Sequence, residues 1–169
     1  MEQKYTLDIY KNENDIRCYI RTRIGKRFVV VHDPRNKYVG LLDSFIAEDV
    51  VMSNSEFEKQ QNLEIINDAK GDVLIAGLGI GLILLPIMKK PEVSKIDVIE
   101  KYQEVIDLIE EQLPLNSKVN IICDDAYKFE PKQMYDTIYI DIFPTAPPSL
   151  INYYKQHLRT GGICKGFTG

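Results

Sequence analysis

Residues 72–82, Asp72-Val73-Leu74-Ile75-Ala76-Gly77-Leu78-Gly79-Ile80-Gly81-Leu82, set an apolar run directly before three alternating glycines. Glycines permit a tight turn and let a ligand approach the backbone closely. A helix starting behind such a turn offers free N–H groups to an anionic group. The spacing is G-x-G-x-G, whereas the dinucleotide pattern G-x-G-x-x-G would need glycine where Leu82 stands. Taken alone, the pattern is equally a packing turn. Nineteen residues after Gly81, Glu100 closes the apolar run 95–99. From there a carboxylate can accept hydrogen bonds from ribose hydroxyls; the plainer reading is a solvated acid near a helix start, favoured by the helix dipole. Acids also follow the run 118–123, as Asp124-Asp125, and close the run 135–141, as Asp141. Ligands of open α/β sheets sit outside the carboxyl ends of the strands, so Glu100, Asp125 and Asp141 are expected to converge on one crevice. Asp141 is the candidate catalytic group, accepting a hydrogen bond from the nucleophile or from a cofactor amine.

Other reactive residue types carry plainer expectations. Phe143 or Tyr127 can wall the crevice, but aromatic side chains are more often core. His32 and His157 lack metal-ligand spacing, so no metal site is expected. Cys123 reads as a buried thiol acting as a small hydrophobe, and Ser149 as a helix N-cap after Pro147-Pro148. Arg21, Arg23, Lys26 and Arg27 form a basic cluster that reads first as a solvated hairpin face and second as a contact for an anionic substrate.

The elements that must position these groups follow from the hydrophobic pattern. Residues 5–10, 18–23, 27–32 and 38–42 are strand-length runs separated by turn residues, which predict hairpins or a small meander. From Ser53 the pattern changes. Ser55 and Glu58 have capping-box spacing ahead of a helix that Lys70-Gly71 stops. Strands at 73–76, 95–99, 118–123, 135–141 and 162–166 then alternate with helices at 81–89, 103–113 and 149–158. The strands are continuous apolar runs, as expected when both faces are covered. The predicted fold class is therefore α/β: a doubly wound, mostly parallel sheet with an N-terminal β-rich extension (residues 1–52) ahead of a ligand-binding domain (53–169).

Composition bounds the function. The 169 residues fit one core, and 44% hydrophobic with 27% charged residues is ordinary for a globular chain. A net charge of -4 and pI near 5.3 argue against nucleic acid as a partner. The longest nearly uncharged run, 73–88, is broken by glycines and a proline and falls short of the ~20 apolar residues of a membrane span. The N-terminus is polar where a signal peptide would be apolar. Three scattered cysteines predict reduced, cytosolic thiols.

In their order, VLIAGLGIG (73–81), IDVIEKYQEVIDL (96–108), VNIICDDAYKF (119–129), YDTIYIDIFP (135–144) and YYKQHLRTGGIC (153–164) resemble class I S-adenosylmethionine-dependent methyltransferases, and within them the spermidine-synthase-like branch. The resemblance implies a Rossmann-like fold in which Gly77, Gly79 and Gly81 lie beneath the methionine and ribose of S-adenosylmethionine. Glu100 would bind the ribose diol and Asp125, rather than its neighbour Asp124, the adenine amino group. It implies methyl transfer to an unidentified acceptor, most simply a small molecule. The rival within the branch is aminopropyl transfer from decarboxylated S-adenosylmethionine. Against it, Asp141-Ile142-Phe143-Pro144-Thr145 lacks the second acid of the aminopropyltransferase segment. A non-catalytic cofactor-binding or assembly module is a third reading. The chain ends soon after 162–166, a shortened C-terminus for this fold, so an apolar edge strand is expected. Its cover would be a second subunit, as a homo-oligomer, or the N-terminal hairpins.

Overall fold

The computed structural model describes residues 4–46 and 49–167; the extreme ends of the two predicted segments (1–3 and 168–169) and residues 47–48 lie outside them. Two sheets build the molecule. An antiparallel sheet contains β1 (Arg23–Ile24), β2 (Phe28–Asp33), β3 (Tyr38–Asp43) and β4 (Asp49–Ser53) in that order. The second sheet contains β5 (Gly71–Ala76), β6 (Val93–Glu100), β7 (Val119–Cys123), β8 (Tyr135–Ile140) and β9 (Leu158–Gly166). Its strands run parallel in the order β7-β6-β5-β8-β9. The order reverses between β5 and β8, the switch point at which such sheets bind ligands. Helices α1 (Glu56–Asp68), α2 (Leu84–Met88), α3 (Gln103–Ile109) and α4 (Pro148–Lys155) connect or flank these strands. This is the Rossmann-like architecture expected from the alternating pattern.

Several local expectations are corrected. Residues 5–10 and 18–23 are not strands: short 3-10 turns occupy Leu7–Tyr10, Asn12–Asn14 and Ile16–Cys18, leaving only Arg23 in β1. The cause is local side-chain competition for the backbone. Thr6 Oγ1 accepts from the Asp8 amide at 3.3 Å and Asp15 Oδ1 from the Arg17 amide at 3.0 Å. Tyr10, Ile16 and Ile20 still reach the core. Helix α2 begins only at Leu84, with Pro86 in its first turn, where the missing N–H has no intrahelical partner to lose. Beyond α3 the chain tightens into a 3-10 turn at Glu110–Gln112. Pro147, not Ser149, is the N-cap of α4. Only half of the capping box forms: Ser55 Oγ accepts from the Glu58 amide at 3.2 Å, while the Glu58 carboxylate turns back to Ser53.

The two sheets share one apolar core, in which Phe28, Val30, Leu41 and Met52 meet Val73, Ile75, Leu78 and Val105. Their relative position is also held by hydrogen bonds. Glu104, on α3, accepts from the Arg27 amide at 2.9 Å and the Phe28 amide at 3.2 Å. The outer edge of β9 pairs with no strand among the described residues, and the antiparallel sheet is a separate sheet. Among the described residues no helix is long and apolar enough to cross a membrane. Removing the Glu104 acceptor leaves two amides without their partner, at about 1–3 kcal/mol. Glu104→Ala is thus expected to lower stability by that amount in urea denaturation and to speed hydrogen exchange at Arg27 and Phe28 first. Unchanged exchange there would show that apolar contacts alone hold the sheets together.

Candidate functional site

A cavity of about 480 Å³ opens over the carboxyl ends of β5, β6, β7 and β8, and the antiparallel sheet and α1 form its opposite wall. Gly77 and Gly79 lie on its floor. Gly77 has φ +108° and hydrogen-bonds its amide to the Ile99 carbonyl at 2.7 Å, while the Asp141 amide reaches the Ala76 carbonyl at 2.7 Å. A Cβ on Gly77 would strike the Asp141 carbonyl oxygen, so only glycine lets the two strand ends come this close. Gly79, at φ +51°, gives its missing side chain's space to Met52 of β4, whose sulfur accepts from the Ile80 amide at 3.4 Å. Gly81 is not among the residues that line the cavity, and a side chain there would meet Leu113. The turn amides face protein rather than open space, because α2 is too short and too late to supply a helix N-terminus here.

Glu100, Asp125 and Asp141 all line the cavity, as does Asp124. Their environments differ. Glu100 is buried, 8% exposed, and is not a solvated acid at a helix start. Its carboxylate accepts from the Leu78 and Tyr102 amides at 3.0 Å each, tying the glycine turn to the end of β6. Burial raises its carboxyl above the usual range, against the pull of the Tyr102, Leu78, Gly79 and Lys101 amides. Asp125 is held below the ordinary value by the Tyr127 amide (3.0 Å) and by Lys101, whose ammonium lies 3.0 Å away. Asp124 accepts from the Asp125 amide at 2.7 Å, the turn role its position suggests.

Asp141 stands apart. Its Oδ2 is buried and has no hydrogen-bond partner among the described residues. Burial, then the nearby charges of Glu58 and Glu100, push its carboxyl up to about 7 from an ordinary 3.8. A buried carboxylate oxygen left unpaired is costly, so the fold keeps this group for something other than its own stability.

Two lining residues read first in other roles from the sequence. Glu58 reads as a helix cap, but its side chain accepts from the Ser53 amide (2.9 and 3.0 Å) and hydroxyl (2.8 Å) and borders the cavity. Burial raises its carboxyl, opposed by those Ser53 bonds. The S-x-x-E spacing was the available signal, and it pointed elsewhere because nothing local marks which amide the glutamate will choose. Arg27, one of the four basic-cluster residues, lies on the cavity with its charge taken up by Asp43, through contacts of 2.9 and 2.6 Å. Its guanidinium also stacks over Tyr102, 4.6 Å from the ring centre. Arg23 instead pairs with Glu111. Two further expectations are corrected: Cys123 is exposed and off the cavity, while Tyr127 and Phe143 are not core but 60% and 42% exposed at its rim.

Charge follows from this inventory. The two lining cations, Arg27 and Lys101, are paired with Asp43 and Asp125, whereas Glu58, Glu100, Asp124 and Asp141 have no ion-pair partner among the described residues. Acidic side chains therefore outnumber basic ones on the lining, six against two.

No family model and no curated protein matches the chain. Solved structures do. N-methyltransferase NodS from Bradyrhizobium japonicum WM9, in complex with S-adenosyl-L-homocysteine, aligns with a TM-score of 0.54 at 16% identity over 64% of this chain and 60% of that one. The plantazolicin methyltransferase BpumL, in complex with a pentazolic desmethylPZN analog and S-adenosyl-L-homocysteine (the complex's SAH), aligns at 0.50 and 24% identity, over 63% of this chain and 45% of that one. The chain spans between 44% and 66% of the length of the first structures it matches. The likeness establishes the fold, which is the Rossmann-like methyltransferase fold.

The raised Asp141 carboxyl has a stability consequence. Between pH 4 and pH 7 the folded chain holds a proton on Asp141 that the unfolded chain has lost, so this group's contribution falls as pH rises through that window. Asp141→Asn keeps the shape without the charge. It is expected to match or slightly trail the parent near pH 4 and to exceed it at pH 8 by up to about 4 kcal/mol, measured by urea denaturation at both pH values. Equal effects at the two pH values would count against a raised carboxyl.

Proposed function

We propose that the chain binds S-adenosylmethionine in this cavity and transfers its methyl group to a small-molecule acceptor. The observation that carries the reading is the buried, unpartnered Oδ2 of Asp141 beside a side-chain-free turn at the sheet's switch point. The residues present fit the cofactor. Gly77 and Gly79 lie on the cavity floor and project no side chain into it, and a volume of about 480 Å³ lies within the range of small-molecule sites. The unpaired acids suit a guest carrying a sulfonium and an ammonium. NodS and BpumL, solved with S-adenosyl-L-homocysteine on the same fold, support the choice.

When bound, S-adenosylmethionine supplies a methyl group on a positively charged sulfur, and transfer needs an acceptor lone pair held in line with it. The chain's own residues do the holding. Glu100 and Asp125 mark the ends of β6 and β7, where ribose and adenine recognition belong in this reading, and Gly77 keeps the floor low enough for a cofactor to lie across it. Asp141, with a carboxyl near 7, divides between its two forms around neutral pH and is suited to take a proton from the acceptor. The antiparallel sheet and α1 form the wall opposite the strand ends.

Calorimetry with S-adenosylmethionine, S-adenosylhomocysteine and decarboxylated S-adenosylmethionine tests the reading. Micromolar binding of the first two is expected, weakened ten- to hundredfold in Glu100→Ala, as about 1.5–3 kcal/mol for a lost charged hydrogen bond implies. Because Glu100 also holds the glycine turn, Asp125→Asn provides a second, milder variant. Preference for the decarboxylated nucleotide would replace methyl by aminopropyl transfer. Binding of none of the three would overturn the proposal.

A further inference from the structure

The acceptor end of the cavity has its own chemistry. Glu58 and Asp141 both line it, and neither has an ion-pair partner among the described residues. Each is followed or preceded closely in sequence by an exposed apolar side chain on the same cavity: Phe57 beside Glu58 is 61% exposed, and Phe143 lies two residues beyond Asp141. Ile46 and Val50, at the end of the β3–β4 hairpin, join them. Among the described residues, five of the eight exposed large hydrophobic side chains line this cavity. Exposed apolar side chains gathered at a cavity mark a surface that a ligand covers. Acidic depth and an apolar rim together describe a guest with a cationic head and an apolar body.

We propose that the acceptor is an amine carried on an aromatic or alkyl body, its nitrogen held between Asp141 Oδ2 and Glu58 and its body against Phe57, Phe143, Ile46 and Val50. This rests on the methyl-transfer reading above. S-adenosylmethionine carries one net positive charge (sulfonium and ammonium against one carboxylate), so its presence leaves the lining acidic and does not remove the need for a second cation. Glu58 is already satisfied by Ser53 and contributes charge, whereas Asp141 Oδ2 has a free acceptor site and takes the N–H. The ammonium passes one proton to Asp141. The freed nitrogen lone pair forms the N–C bond to the methyl group while the C–S bonding pair stays on sulfur. The product leaves as the methylated ammonium, and Asp141 returns its proton to solvent. A hydrophilic polyamine would leave the apolar rim uncovered.

The experiment is calorimetry on the chain saturated with S-adenosylhomocysteine, titrated with phenethylamine, its neutral isostere 2-phenylethanol, and putrescine. Phenethylamine is expected to bind at least tenfold more tightly than either of the others. Glu58→Gln is expected to weaken phenethylamine several-fold, since it removes a neighbouring charge but no hydrogen bond to the amine, while S-adenosylhomocysteine affinity stays within about twofold. Phe57→Ala, at an exposed position that leaves the fold intact, is expected to weaken phenethylamine several-fold and leave putrescine unchanged. If 2-phenylethanol binds as tightly as phenethylamine, or putrescine more tightly, or no amine binds the S-adenosylhomocysteine-loaded chain, the amine proposal is overturned and methyl transfer to another acceptor stands. Failure of S-adenosylhomocysteine itself to bind overturns the methyl-transfer reading instead. Should Glu58→Gln not fold, as judged by thermal unfolding, the amine-to-alcohol comparison on the parent chain and Phe57→Ala still decide the question.

Discussion

Two backbone hydrogen bonds and one missing Cβ organise this molecule. The Gly77 amide reaches Ile99, the Asp141 amide reaches Ala76, and the space a side chain would need at Gly77 is filled by the Asp141 carbonyl. Strands β5, β6 and β8 are thereby drawn to a single point at their carboxyl ends. Everything that can do chemistry hangs from that point. Asp141 sits beside the turn, Glu100 braces it through the Leu78 amide, and the cavity floor is as low as backbone allows.

The antiparallel sheet turns that point into an enclosed site. Without a roof, carboxylates at strand ends would be solvated and ordinary. Met52 seats on Gly79, Glu104 clamps β2 to α3, and α1 brings Glu58 to the wall. Enclosure by apolar neighbours raises the Glu58, Glu100 and Asp141 carboxyls together. The molecule spends stability on this arrangement, since each acid is desolvated near the others and the two available cations are spoken for.

Much of the fold was legible along the chain because the signals are local. Apolar runs bounded by Gly, Pro and charge marked β5 to β9, and Ser55 marked the start of α1. The strand-end acids Glu100, Asp125 and Asp141 were legible as a set because parallel strands all point the same way, so their last residues share one rim. The failures are physical too. Residues 5–10 alternate like a strand, but Thr6 and Asp15 capture nearby amides and wind the chain into 3-10 turns. Gly81 matches the pattern of its two neighbours yet is not among the cavity-lining residues, and a side chain there would meet Leu113. Cys123 follows an apolar run and reads as buried, but it ends an edge strand whose outer side is open.

The sequence by itself determined the class of fold, the order of strands and helices from α1 onward, and which carboxylates lie at strand ends, since periodicity and turn chemistry act over a few residues. Only the tertiary structure decided which acids are paired. Arg27 meets Asp43 across a hairpin and Lys101 meets Asp125 across two strands, and among the described residues Glu58 and Asp141 have no cation partner. It also decided that Phe57 and Phe143 ring the opening rather than fill the core. Those outcomes depend on how two sheets pack against each other. Burial and pairing are properties of neighbours distant in the chain, and no local pattern carries them.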